Sequence, residues 1–101
     1  MDNSIIHKIN NYFIHELVDK AWIFGSFSRN EEKETSDIDL LVQFSKNQKI
    51  TLFYYLKLKN KLEELTGKKV DLIEEGQLKI FAQAGFEKDK ILIYERKNQG
   101  Q

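Results

Sequence analysis

Gly25-Ser26-Phe27-Ser28-Arg29, followed after a charged loop by Ser36-Asp37-Ile38-Asp39, decides how this chain folds. Two apolar runs flank it, Ala21-Trp22-Ile23-Phe24 and Leu40-Leu41-Val42, both strand-like in length and composition. Alternate residues of a strand share a face, so a strand from Asp37 to Phe44 points Asp37 and Asp39 the same way. Two carboxylates side by side repel each other unless a cation neutralises them, and such pairs hold Mg²⁺ next to phosphate-bearing substrates. The Gly25-Ser26 turn after a buried strand supplies backbone N–H groups where a helix starts, a place that favours anions. A metal on one side and a phosphate on the other make a nucleotide site.

Outward from this stretch the chain alternates helix and strand. Residues 4 to 18 carry a helical apolar stripe through Ile5, Ile9, Phe13, Leu17 and Val18, with Asp2, Asn3 or Ser4 available as a cap. Lys20 to Phe24 reads as a strand buried on both faces, and a short helix follows from Ser26. Residues 50 to 66 form a third helix that stops at Gly67, and Val70 to Ile73 is a strand carrying Asp71 in an apolar setting. Gln77 to Phe86 reads as a further helix and Ile91 to Tyr94 as a last strand. This order predicts an α/β (α+β) fold, a mixed four-stranded sheet with flanking helices.

At 101 residues the chain is expected to be a single domain, 1–101, with no room for a second, substrate-binding one. Hydrophobic residues make up 41% and charged residues 32%, the profile of a folded globular protein. Sixteen basic and sixteen acidic residues cancel, so nucleic acid held mainly by phosphate contacts is not expected as the primary partner. Cysteine is absent, which excludes disulfides, thiolate catalysis and cysteine-ligated zinc. No signal-like segment opens the sequence and no apolar run approaches the roughly 18 residues of a membrane span, so the expected location is cytoplasmic, with no membrane contact.

Each candidate residue also has an ordinary reading. Asp37 and Asp39 describe equally the wet edge of a half-exposed strand. Asp71 changes the balance, because three carboxylates on adjacent strands are what a two-metal site needs. Gly25-Ser26 is either a tight turn or a close approach of backbone to phosphate oxygens, for which a side chain would be an obstruction. Arg29 is a surface arginine, or it turns back to brace a phosphate or the carboxylates. Ser36 caps a turn or donates to a triphosphate oxygen. His7 and His15, eight apart, do not form an adjacent metal pair, and Tyr54 and Tyr55 read as packing residues.

Taken together, Gly25-Ser26-x-x-Arg29, Ser36-Asp37-Ile38-Asp39-Leu40 and Val70-Asp71-Leu72 resemble the minimal nucleotidyltransferases of the DNA polymerase beta superfamily. Within it they are most similar to the MNT antitoxin half of HEPN–MNT pairs, over about residues 20 to 75. The resemblance implies nucleotide binding by Gly25, Ser26, Arg29 and Ser36, and two Mg²⁺ ions on Asp37, Asp39 and Asp71, with Asp71 also activating the acceptor hydroxyl. It further implies transfer of AMP from ATP, with release of pyrophosphate, to a tyrosine of a HEPN-type partner. Asn30 stands where these proteins usually carry glycine. Two other functions fit the same residues: a module that neutralises a partner by contact alone, and a drug-modifying nucleotidyltransferase, which generally needs more chain for its acceptor.

Overall fold

The computed structural model describes residues 3–29, 31 and 37–97. Its elements are α1 (Asn3–Phe13), β1 (Val18–Phe24), a 3₁₀ turn (Gly25–Phe27), β2 (Ile38–Phe44), α2 (Leu52–Thr66), β3 (Val70–Glu74), α3 (Ile80–Asp89) and β4 (Ile91–Glu95). The strands form one sheet in the order β3-β2-β1-β4. β1 is antiparallel to both β2 and β4, and β2 and β3 run parallel, as the intervening α2 crossover requires. The expected mixed four-stranded sheet with flanking helices is therefore present.

The two faces of the sheet differ. Ile38, Leu40, Val42 and Phe44 of β2 alternate into one face, where they meet Val70 and Leu72 of β3 and Ala21 and Ile23 of β1. α1 covers this face with Ile5, Ile9 and Phe13, spaced four apart, and α2 with Leu58 and Leu62. Each such fully buried side chain contributes roughly 1.5–3 kcal/mol relative to exposure. Leu41 and Phe86 are buried outside that cluster, because they belong to the opposite face. There Phe86 is the buried residue of α3, edge-on to Phe24 at 5.1 Å and to Trp22 at 6.4 Å between ring centroids.

Several boundaries depart from the periodicity, among them β2, which begins at Ile38 and so leaves Asp37 outside the strand, and the last helix, which runs on to Asp89. The first helix stops at Phe13 instead of Val18, and β1 begins at Val18. Arg96 accounts for this: its guanidinium donates to the carbonyls of Phe13 (3.3 Å), Ile14 (3.2 Å), Glu16 and Val18 (3.0 Å), oxygens that a continuing helix would have used. The last helix starts at Ile80, three residues later than expected, since Gly76 at φ 93° and the Gln77 N–H to Glu74 oxygen bond first turn the chain. α2 ends at Thr66 as expected, with Gly67 left-handed at its close, but begins at Leu52, two residues later than expected, where the Thr51 hydroxyl accepts from the Tyr54 N–H. Its first apolar residues Leu52, Phe53 and Leu56 nevertheless remain exposed. Among the described residues no helix is long and apolar enough to cross a membrane.

Candidate active site

β1 delivers the chain to Gly25, whose φ of 75° is a conformation that glycine adopts without steric cost. The Ser28 N–H closes the 3₁₀ turn on the Gly25 carbonyl (3.1 Å), and the Ser28 hydroxyl binds the same oxygen at 2.7 Å. The N–H groups of Ser26 and Phe27 therefore precede the first bond of the turn and stand outside its ladder. The Ser26 hydroxyl makes no hydrogen bond to another described residue, while its carbonyl accepts from Arg29 and Glu31. The turn is held from behind and presents donors in front.

β2 and β3 bring two of the three aspartates together. Their parallel register pairs Asp39 with Asp71, so both carboxylates stand on the face opposite the core. Across β1, Asp39 is paired with Phe24, the residue before the turn. Asp37 lies just before the first residue of β2, two positions from Asp39, and is exposed. Burial, then the charges of Asp71 and Asp37, push the Asp39 carboxyl up from 3.8 to about 6, with Arg29 pulling the other way. A carboxylate desolvated among carboxylates is a group that a hard cation would satisfy.

The donor set accordingly fits Mg²⁺: oxygen ligands only, mutually repelling, beside a glycine turn with no side chain to block approach. Among the described residues, no group of three His, Cys, Asp or Glu side chains already converges as a metal cage. Mg²⁺ commonly binds through one or two carboxylates plus substrate phosphates, so a complete protein cage is not needed.

Of the two roles open to Arg29, surface residue or brace, it combines parts of both. It is exposed, yet its Nε donates to Glu31 at 2.8 Å and its Nη1 to Asp89 at the end of α3. It links the turn to α3 and reaches Asp39 through its charge. Ser36, and Asn30 with it, lie outside the described residues. The presence of α3 at the site is not among the expectations drawn from the sequence. A cleft of about 450 Å³ opens between β3 and the first turn of α3, with Phe24, Asp39, Asp71, Ile73, Gln77 and Phe81 in its walls. Lys79 Nζ stands 6.0 Å above the Phe81 ring. The run of mostly apolar residues at 78–82 is the one signal of this wall in the sequence.

Known proteins meet this geometry from a different direction. The family model described as "Polymerase beta, Nucleotidyltransferase" matches residues 7–99. A Methanocaldococcus jannaschii protein inferred to be a protein adenylyltransferase is 46% identical over 71 residues, 70% of this chain and 74% of that one. The protein adenylyltransferase MntA of Thermococcus cleftensis is 42% identical over 57 residues, 56% of each chain. Among solved structures, one described as a minimal nucleotidyltransferase superposes with a TM-score of 0.71 at 29% identity, covering 88% of this chain and 89% of its own. A toxin–antitoxin structure with AMP-PNP gives a TM-score of 0.70 at 18% identity, covering 96% and 76%. A Shewanella oneidensis complex of a tri-AMPylated HEPN toxin with its MNT antitoxin gives 0.59 at 18% identity, covering 91% and 68%, a likeness of fold. The chain belongs to the polymerase beta nucleotidyltransferase family.

Proposed function

We propose that this protein transfers AMP from ATP to a hydroxyl of a partner protein, a tyrosine of a HEPN-type toxin, and releases pyrophosphate. The observation that carries the reading is the in-register pair Asp39 and Asp71 beside the positive-φ turn at Gly25. The relatives named as protein adenylyltransferases and the fold shared with an antitoxin bound to an AMPylated toxin support it.

In this reading the N–H groups at Ser26 and Phe27 and the Ser26 hydroxyl hold the nucleotide phosphates, with Ser36 as a further donor. Arg29 keeps the turn in place against α3 and adds positive charge. Asp37, Asp39 and Asp71 would hold two Mg²⁺ ions, which supply charge neutralisation on the phosphates when bound. Asp71 takes the proton of the attacking hydroxyl, whose oxygen bonds to the α-phosphorus as the bond to the bridging oxygen of pyrophosphate breaks. The protein is a Mg²⁺-dependent transferase acting in the cytoplasm, residues 1–101 forming one domain.

The test is incubation with Mg²⁺, labelled ATP and the product of its neighbouring gene, read by intact mass of both proteins. Added AMP units on the neighbour, lost in Asp37→Asn/Asp39→Asn, are expected. A stable complex with no added mass would replace this reading with neutralisation by contact.

A further inference from the structure

We infer that the cleft between β3 and the first turn of α3 is the acceptor slot, and that it selects an aromatic hydroxyl with Phe81 as its anchor. This rests on the function proposed above, tyrosine acceptor included, and adds to it the side from which the acceptor enters and the residue that anchors its ring.

Stereochemistry fixes the side of entry. In phosphoryl and nucleotidyl transfer the attacking and leaving oxygens lie roughly in line across the phosphorus. The leaving pyrophosphate belongs to the Gly25–Ser26 turn, which adjoins the Asp39 carboxylate so closely that a Cβ on Gly25 would lie 2.3 Å from its Oδ2. The attacking oxygen must then come from beyond the carboxylates, on the side away from the turn. The cleft leads to that side: it runs from Phe24, just before the turn, past Asp39 and Asp71 to Gln77 and Phe81, and its far end lies beyond the carboxylates. Asp71, on the outer strand of the sheet, stands where it can take a proton from a group seated there.

The lining defines the acceptor. Phe24, Ile73 and Phe81 offer apolar and aromatic surface, and Gln77 offers an amide at the mouth. A phenol ring stacked against Phe81 buries its carbon skeleton and carries its hydroxyl toward Asp71, whereas a serine or threonine would leave the aromatic walls unfilled. Phe81 is 84% exposed and its neighbour Ile80 86% exposed, an unfavourable surface to leave in water at the entrance of a cleft unless an incoming polypeptide covers it. Phe81 is thus a specificity residue and not a catalytic one.

The probe is N-acetyl-tyrosinamide, with N-acetyl-serinamide beside it, titrated into ¹⁵N-labelled protein containing Mg²⁺ and a non-hydrolysable ATP analogue. Amide shifts at Ile73 and residues 77–82 with the tyrosine compound, much smaller ones with the serine compound, and binding weakened roughly tenfold or more in Phe81→Ala are expected. Leu56→Ala, on the exposed start of α2, should leave the titration unchanged. Shifts confined to Leu52, Phe53 and Leu56 would overturn the assignment, as would no shifts at all. Shifts at residues 77–82 caused by the ATP analogue alone, with none added by the tyrosine compound, would also overturn it, making the cleft a base pocket. Failure of the analogue to shift Gly25–Phe27 would instead refute the nucleotide site itself, independently of the slot.

Discussion

Gly25 and Asp39 are fitted to each other with no room between them: a Cβ on Gly25 would lie 2.3 Å from Oδ2 and 3.3 Å from Cγ of Asp39. Two independent demands thus fall on one position, the left-handed backbone at φ 75° and the missing side chain. Asp39 is half-buried, so the placement of its carboxylate and that of the turn's amides are one piece of geometry.

Gly25→Ala should accordingly cost more than its backbone alone. A non-glycine residue held left-handed costs on the order of 1–3 kcal/mol. The clash must also rotate Asp39 away. A thermal melt with and without Mg²⁺ and ATP checks both: lower stability without ligand, and loss of the ligand-induced rise. Retention of the full rise would show that Asp39 can move aside without harm.

Asp39 also sets a pH dependence for the metal-free protein. Its folded carboxyl titrates near 6, while the unfolded value is 3.8. Between those values the folded state holds the proton that the unfolded state has lost, so stability falls as pH rises through that window and is restored as pH drops. Asp39→Asn should remove this slope and leave the metal-free protein more stable than the parent at pH 8, measured by urea unfolding across pH 3.5 to 8. Mg²⁺ should oppose the fall in the parent only.

Arg29 and Asp89 test whether the turn is braced from α3. The Asp89 side chain is only 9% exposed, so its pair with Arg29 is better shielded than an ordinary surface ion pair. Asp89→Asn is expected to lower stability only slightly, because the Arg29 end of the pair is open to solvent. It should also speed hydrogen exchange over Ile80–Asp89. If bracing is the role of Arg29, Arg29→Met and Asp89→Asn weaken ATP binding alike; a loss confined to Arg29→Met would make Arg29 a direct phosphate ligand.

The carboxylates and the glycine turn are legible in the sequence because their logic is local. A period of two relates Asp37 to Asp39, although β2 begins only at Ile38 and leaves Asp37 just outside the strand, and Gly-Ser after an apolar run marks the turn. The pairing of Asp71 with Asp39 follows once the third strand is taken as a neighbour of the second. Arg29 is not legible in the same way, since its partner Asp89 lies sixty residues away on a helix whose placement depends on one aromatic contact set, Phe86 with Phe24 and Trp22. The end of α1 is hidden for a similar reason. Ile14, Leu17 and Val18 continue the apolar stripe, and Arg96, eighty residues on, takes up carbonyls at the helix end, sharing that of Phe13 with the Glu16 N–H.

Removing those donors tests whether Arg96 ends the helix. It serves four backbone carbonyls at the junction of α1 and β1, and it also pairs with Asp19 at 3.4 Å. Arg96→Met keeps an unbranched side chain of similar reach and removes the guanidinium, and with it the donors, the pair with Asp19 and the stacking of Cζ 5.9 Å over the Tyr94 ring. Leaving part-buried acceptors unsatisfied should cost roughly 2 kcal/mol. The measurement is urea unfolding; an unchanged midpoint would mean that water replaces the guanidinium and that the helix end is fixed by Phe13 packing alone.

Asp71 separates chemistry from binding. It shares a face with Asp39 but stands on the outer strand, away from the phosphate-facing turn, so its removal should spare the contacts that hold the nucleotide. Asp71→Asn keeps the shape and the neighbouring packing and removes the group proposed to accept the hydroxyl proton. General-base assistance contributes typically about 10²–10⁴-fold, so the transfer rate should fall by that order. The affinity for the ATP analogue in Mg²⁺ should change only a few-fold. Asp39→Asn should instead weaken nucleotide binding and transfer together, because Asp39 adjoins the turn itself. Equal losses of binding and rate in Asp71→Asn would assign Asp71 to metal holding alone and leave the proton to another acceptor.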